Sequence, residues 1–512
     1  VIVLVAVAVL LGMAAGRPTA SSAAPEEPLP TPAATGGTTQ APSAGHAPPA
    51  TDLDAIENIV FVLADDLDTA TFNQVARLRA LREAGLSLQS MVVTESLCCP
   101  SRASILRGQY VHNHGVLSNL GVSQGGWLTF AQKGEEDDCL PVWLKAAGVQ
   151  TAYVGKYLNG YGEDGDPTAI PPGWDYWFAP TTKSGMYRGF GYTVNDNSSL
   201  RSYAAGKDDF LPDVITEQAL AYLRTAQSPF YLQVNSTSPH DPAPVAKRHR
   251  DSNRNDRVPR TTTYDDPGVN APPWRANRKP LTAEKRQAYD AYWAKRVRSS
   301  ESVADTVEAI LGELERSGRL QSTLVVVSSD NGFHVGQRRL PPGKRTPYRE
   351  DTIVPTVLIG PSIAPGSSTR AMTSTIDLGP TFAELLGAAV PEWVDGRSLV
   401  PLLTDGSPEG WRTAVLTESL GETSFNDPDF DAFQPPNYSA LRTERWLYVE
   451  YQSGARELYD VQADPQETRN VISNASAELL DDLSARLAAL SACSGGTCRQ
   501  ADTWTGTPSQ PE

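Results

Sequence analysis

Four short runs of β-branched and aromatic residues, each closed by polar or charged groups, constrain the fold of this chain more than any other feature. Asn58–Ala64 (NIVFVLA) ends in Asp65-Asp66, and residues 150–154 (QTAYV) end in Gly155-Lys156. Residues 229–234 (PFYLQV) lead to Ser238-Pro239-His240, and Thr323–Ser329 (TLVVVSS) ends in Asp330-Asn331-Gly332. Helical periodicity fills the intervals, so the pattern predicts an α/β protein with a large, mostly parallel sheet between helices. In open α/β sheets ligands bind beyond the carboxyl ends of the strands, so these four endings are expected to converge on one site.

The remaining organisation follows from composition shifts. Residues 1–16 (VIVLVAVAVLLGMAAG) read as the apolar region of a secretory signal peptide, with cleavage near Ala23 and Ala24. No basic segment or initiator Met precedes the run, so an N-terminal membrane anchor is the alternative. The expected divisions are 1–24 signal peptide or anchor, 25–53 a tether rich in Pro, Ala and Thr, 54–400 a catalytic domain, 401–500 a C-terminal α+β subdomain, and 501–512 a tail. In the subdomain, residues 440–451 and 457–460 read as strands and 475–492 as an amphipathic helix. The sequence predicts export, with tethering at the cell surface as a variant of it.

With 44 Lys+Arg against 60 Asp+Glu the net charge is −16, which argues against a nucleic-acid partner because phosphate affinity comes from clustered cations. Five cysteines are an odd number for an exported chain. Cys493 and Cys498 bracket a flexible Ser-Gly-Gly-Thr loop and are expected to pair, whereas the adjacent Cys98 and Cys99 cannot easily bridge to each other.

Asp65, Asp66 and Asp330 would crowd three carboxylates together with the Asn331 amide if their strands are neighbours, and such crowding is expensive without a cation. An Asp-Asp pair alone is more often a helix cap or turn. Two acidic strand ends of the same kind instead favour a hard divalent ion, Ca²⁺ or Mg²⁺.

The segment Leu97-Cys98-Cys99-Pro100-Ser101-Arg102-Ala103-Ser104-Ile105-Leu106-Arg107-Gly108 is the sharpest local signal. It resembles the signature C-x-P-S-R-x-x-x-L-x-G of type I sulfatases, whose Cys a formylglycine-generating enzyme oxidises to an aldehyde. Counted from Cys98, Pro100 and Arg102 fall in register; counted from Cys99 they do not. The resemblance therefore makes Cys98 the formylglycine precursor and leaves Cys99 to pair with Cys139 or stay buried. A helix opening with Pro100 in its first turn and running over residues 101–109 would put position 98 at its N-terminal end, which favours an anion such as a sulfate ester.

Further blocks resemble the same family in the same order: Asp65-Asp66, Gly155-Lys156-Tyr157-Leu158-Asn159, Pro239-His240, Ser329-Asp330-Asn331-Gly332-Phe333-His334, Pro342-Gly343-Lys344-Arg345, and Glu457-Leu458-Tyr459-Asp460. The nearest flavour is the N-acetylglucosamine-6-sulfatase and arylsulfatase group. The resemblance implies an alkaline-phosphatase-like fold and release of sulfate from an aryl or sugar sulfate, either a small molecule or a glycan. It implies metal binding by Asp65, Asp66, Cys98, Asp330 and Asn331. It also implies catalysis by Cys98, Arg102, Lys156, His240, Asp330 and Lys344, with Lys156, Asn159, His240, His334 and Lys344 contacting substrate. Leu158 stands where many arylsulfatases carry His, and His334 is the substitute for that base. Phosphonate or phosphate ester hydrolysis in the same superfamily, and an inactive scaffold that binds carbohydrate, are the competing readings.

Three features have blander alternatives. His112 and His114 either line the pocket or make structural hydrogen bonds. The basic stretch 247–260 is a solvated loop or a steering patch for anionic substrate. Trp127, Trp174 and Trp177 form a sugar platform or pack in the core.

Overall fold

The computed structural model describes residues 53–120, 124–404, 406, 408–422 and 435–504, so the signal, the tether up to residue 52 and the tail beyond 504 lie outside the described residues. Ten strands form the main sheet: β1 (Asn58–Ala64), β2 (Leu86–Leu88), β4 (Gln150–Gly155), β5 (Tyr176–Pro180), β6 (Tyr192–Asp196), β7 (Ser199–Tyr203), β8 (Phe230–Asn235), β9 (Thr323–Ser329), β10 (Thr356–Ile359) and β11 (Ser367–Thr369). Two-residue strands β3 (Met91–Val92) and β12 (Thr373–Ser374) pair beside it. The order is β11-β2-β10-β9-β1-β8-β4-β5-β6-β7. The four predicted runs are the neighbours β9-β1-β8-β4, all parallel; antiparallel pairs enter on both flanks, and the edge pair β11-β2 is parallel again. Of residues 353–359 only the last four form a strand, pairing antiparallel to β9.

Strand β1 shows why this sheet is central. Every one of its residues is buried. Ile59, Phe61 and Leu63 point into one core, while Val60, Val62 and Ala64 join the other, as the two-residue period of a strand requires. Each such apolar side chain contributes about 1.5–3 kcal/mol when fully buried. Register then aligns the polar endings: Ala64 pairs with Ser329, and Leu63 and Gly155 both lie opposite Asn235.

The C-terminal sheet is antiparallel, in the order β13 (Ala414–Ser419), β14 (Tyr438–Thr443), β15 (Trp446–Tyr451), β16 (Arg456–Asp460). Helix Ala477–Ser491 starts at Ser476, whose side chain caps the Leu479 N–H, and it buries Leu483, Leu487 and Leu490 on the sheet. This core also takes in Tyr110 and Ile376, and the end of β13 is tied to the segment before helix Cys98–Arg107 by Glu418 N–H to Thr94 O, 2.7 Å. The Cys493–Cys498 disulfide is present, with Cα atoms 4.8 Å apart, while Cys99 and Cys139 are buried and not joined to each other. Among the described residues no helix is long and apolar enough to cross a membrane.

Candidate active site

The strand endings converge as the pattern predicts, because backbone hydrogen bonds cross between them. Asp65 N–H donates to Ser238 O, Lys156 N–H to Asn235 O, and Asp330 N–H to Ala64 O, at 3.1–3.2 Å. Gly155 is required at its turn: its φ is +112° and a Cβ there would stand 2.0 Å from Asn235 O.

Helix Cys98–Arg107 begins three residues earlier than the 101–109 span the sequence suggests. Cys98 is its first residue rather than its preceding cap, and Gly108 closes it in the left-handed conformation. Ser101 Oγ donates to Asp330 O at 2.5 Å, which pins the helix start to the end of β9.

Around Cys98 the charged groups interlock. Its Sγ lies 3.4 Å from Asp65 Oδ1 and accepts from Lys344 Nζ at 3.0 Å. Lys156 Nζ donates to both Asp65 oxygens at 3.0 and 2.8 Å, and Lys344 Nζ to Asp66 Oδ1 at 2.6 Å. Arg102 Nε donates to Asp330 Oδ2 at 2.8 Å and its Nη1 to Lys156 O at 2.9 Å. Asn331 Nδ2 donates to Asp66 Oδ1 at 2.7 Å. All of these side chains are buried.

Electrostatics follow from that packing. Burial pushes the Asp330 carboxyl up, but Arg102 first, then Lys156 and Lys344, outweigh it and hold it below the usual carboxylate range. Burial likewise opposes the Lys156 ammonium, and Asp65 above all keeps it protonated well beyond the ordinary lysine range.

Asp65, Asp66 and Asp330 present oxygens within 4.8 Å of one another, a set able to hold a metal ion. Asp66 Oδ2 and Asn331 Oδ1 are buried and receive no hydrogen bond, so a hard cation fits the oxygen donors.

His240 is fully buried, with Nδ1 2.7 Å from Asp241 O and Nε2 3.9 Å from Asp66 Oδ2. Donation from Nδ1 to that carbonyl leaves Nε2 to serve the cluster. Asn159 Nδ2 lies 3.5 Å from Tyr187 Oη, in a cleft that Lys156, Leu120 and Glu163 also line. His334 stands apart: Nδ1 is 2.9 Å from Asp351, and its backbone pairs with Gly343 just before Lys344.

Three contributors were not singled out by sequence reasoning. Tyr187 stacks on His240, with centroids 4.0 Å apart, and lies under the Lys156 ammonium at 5.1 Å. Arg296, buried in the long helix Ala283–Arg316, donates to Asp66 O at 2.5 Å, Pro239 O at 3.3 Å and Asp68 Oδ2 at 3.2 Å. It thereby supports Asp66, a non-glycine residue at φ +65°. Arg345, at φ +74°, ties the Lys344 turn to the end of β13 through Ser419 Oγ at 3.1 Å and Gly421 O at 2.8 Å.

The blander readings hold elsewhere. His112 bonds Glu418 at 2.6 Å and Cys493 O at 3.0 Å, and His114 bonds Ser104 Oγ at 2.9 Å, so both are structural. Trp177 is fully buried in an aromatic cluster with Tyr153, Tyr157 and Trp174, and Trp127 packs edge-on against Tyr161, so these form no exposed platform. In the basic stretch, Arg248 pairs with Asp213 and Asp305, Arg254 with Asp251, and Arg260 with Asp290, which offsets three of its six Lys and Arg side chains.

Fold and charge cluster together define an alkaline-phosphatase-like hydrolase. The chain belongs to the sulfatase family, whose model, described as Sulfatase, matches residues 57–388. A second, described as N-sulphoglucosamine sulphohydrolase, C-terminal, matches residues 343–492. The chain is 34% identical to N-acetylglucosamine-6-sulfatase of Homo sapiens over 480 residues, which covers 86% of each chain. It is 29% identical to an arylsulfatase of Volvox carteri, over 86% of this chain and 75% of that one. A solved structure described as in complex with its substrate D-glucosamine-2-N,6-O-disulfate superposes with a TM-score of 0.72 at 21% identity, covering 85% of this chain and 97% of that one. A phosphonate monoester hydrolase from Silicibacter pomeroyi superposes at 0.62 and 22% identity, over 84% and 94%. The chain is thus a sulfuric ester hydrolase of a family that generally uses a metal ion.

Proposed function

We propose that this enzyme releases sulfate from the 6-position of N-acetylglucosamine in a sulfated glycan or its fragments, using formylglycine made from Cys98 by a formylglycine-generating enzyme, and that it is exported through its N-terminal segment. The observation that carries the reading is Cys98 at the first position of a buried helix, between Lys344 and the Asp65 carboxylate. The substrate assignment draws on the 34% identity to enzymes of that name.

A formylglycine hydrate at position 98 would supply a geminal diol, whose one hydroxyl is a nucleophile for sulfur and whose second allows sulfate to leave with return of the aldehyde. Asp65, Asp66, Asp330, Asn331 and residue 98 would hold a divalent cation, Ca²⁺ in this proposal, which supplies Lewis-acid polarisation of the sulfate. Lys156 and Lys344 bind sulfate oxygens and offset the charge that builds on them in the transition state. Arg102 keeps Asp330 ionised, and Asp330 takes the proton of the attacking hydroxyl. His240 gives a proton from Nε2 to the departing alcohol, held at that angle by Tyr187 and Asp241 O. Asn159 contacts the sugar from the neighbouring cleft. His334, held by Asp351 and paired with Gly343, is assigned the positioning of the Lys344 turn rather than the role of base.

The test is inorganic sulfate release from N-acetylglucosamine 6-sulfate, an aryl sulfate and the matching phosphate esters, by protein co-expressed with the maturation enzyme. Turnover of the 6-sulfate, absent in Cys98→Ala, supports the proposal. Faster release of phosphate than sulfate would favour the phosphoryl alternative.

A further inference from the structure

A second polar cavity lies at the end of β2, among helices Thr69–Gln74, Ala76–Ala84 and Arg349–Thr352, whereas the cleft by Lys156 and Tyr187 is lined by Pro180 of β5. It encloses about 450 Å³, within the range of small-ligand sites, and none of Cys98, Lys156, His240 or Lys344 lines it.

Its charge balance is the informative property. Two carboxylates line it, and each is paired with an arginine: Asp68 with Arg296, with hydrogen bonds from Thr71, and Glu350 with Arg338, with one from Thr263. Two guanidiniums line it and make no ion pair among the described residues. Arg82 is half-buried, lies over Phe72 at 5.0 Å and donates to Asn73 Oδ1 at 3.2 Å. Burial lowers its pKa with no carboxylate to restore it. Arg349 donates from Nη1 to Pro465 O at 2.5 Å. Its backbone N–H meets Glu467, whose carboxylate is already taken by Arg442 and Arg338. Side-chain amides of Asn73, Gln89, Gln337 and Gln466 and the hydroxyls of Thr69 and Thr261 supply the rest of the polar lining. On a chain of net charge −16, such a cavity is a local positive well walled by hydroxyl-matching groups.

We propose that this cavity is a second, non-catalytic site for a sulfated sugar segment, whose sulfates Arg82 and Arg349 bind and whose hydroxyls the amides bind. Guanidinium forks match sulfate oxygens as they match phosphate, and paired amides suit sugar hydroxyls. The site would retain a glycan chain while its end is processed.

The test uses the full chain with Cys98→Ala, so that nothing turns over, and a saturating aryl sulfate to fill the catalytic cleft. Calorimetric binding of a heparin hexasaccharide is compared with its desulfated counterpart. The proposal predicts salt-sensitive binding of the sulfated probe that Arg82→Ala with Arg349→Ala weakens about tenfold or more, and that Lys at both positions partly preserves. With Cys98 intact, the double Ala variant should turn over the aryl sulfate at the wild-type rate. Equal affinity in the double variant, equal binding of the desulfated probe, or a parallel loss of aryl sulfate turnover would overturn it. A wild type inactive on every sulfate ester would count against the proposed reaction and leave the binding comparison standing.

Discussion

Arg296→Met should damage both stability and turnover, although Arg296 touches no atom expected to react. Its guanidinium is fully buried over Phe333 and is the donor to the Asp66 and Pro239 carbonyls and to Asp68. Loss of a donor to a buried carbonyl costs about 1–3 kcal/mol, and there are two. Asp68 also loses its cation, while the desolvation of the guanidinium itself is relieved. The net is about 3–5 kcal/mol, the usual cost of breaking a buried charge pair. Asp66 sits in the left-handed region and His240 follows Pro239, so relaxation moves both groups together. A displacement near 1 Å in such a site costs about 10²-fold in rate. Thermal unfolding and kcat/KM on an aryl sulfate measure the two effects, with Arg296→Lys intermediate. Wild-type kcat/KM in a folded Arg296→Met protein would refute the positioning argument, and an unchanged unfolding temperature would refute the energetic one.

Other substitutions separate the roles. Lys156→Ala and Lys344→Ala should each lower kcat/KM by about 10²–10³, read by initial rates, since each removes a preorganised cation from the site. His240→Asn should slow hydrolysis of a sugar sulfate far more than that of an activated aryl sulfate, because only the poor leaving group needs its proton; an equal loss on both would argue against proton donation. Tyr187→Leu should lower kcat on a sugar sulfate by freeing the His240 ring from its stack, with Tyr187→Phe near wild type; equal rates for Leu and wild type would sink that role. Burial raises the Glu136 carboxyl to about 7, with Trp127 and Tyr157 hydrogen bonds only partly offsetting it. Stability from its protonated form is therefore complete below about pH 4.5 and lost as pH rises through about 7, roughly 3 kcal/mol in all. Glu136→Gln should flatten unfolding midpoints across that window, and an unaltered pH dependence would contradict the assignment.

What was legible in the sequence was local. The four parallel strands announced themselves because apolar runs and their polar closures lie within a few residues of each other, and the closures became the cluster of Asp65, Asp66, Lys156, His240, Asp330 and Asn331. The register of Cys98 was fixed by Pro100 and Arg102 nearby. What stayed hidden depends on distant partners. Arg296 reaches Asp66 across 230 positions and looked like one more charge in a helix. Tyr187 acquires meaning only when the Lys183–Arg188 helix brings it onto His240. The choice between solvated loop and steering patch for the basic stretch was open for the same reason, since Asp213, Asp290 and Asp305, its partners, arrive from other helices. Whether a tryptophan is a platform or a core residue is likewise decided by burial, which periodicity does not report for isolated aromatics.

The most direct measurement of the central claim pairs peptide mass spectrometry across residue 98 with specific activity, in preparations matured to different extents. The account predicts that sulfate release rises in proportion to the fraction of Cys98 converted to formylglycine and extrapolates to zero in unconverted protein. Sulfate release that is independent of that fraction, or that persists in Cys98→Ala, would contradict it.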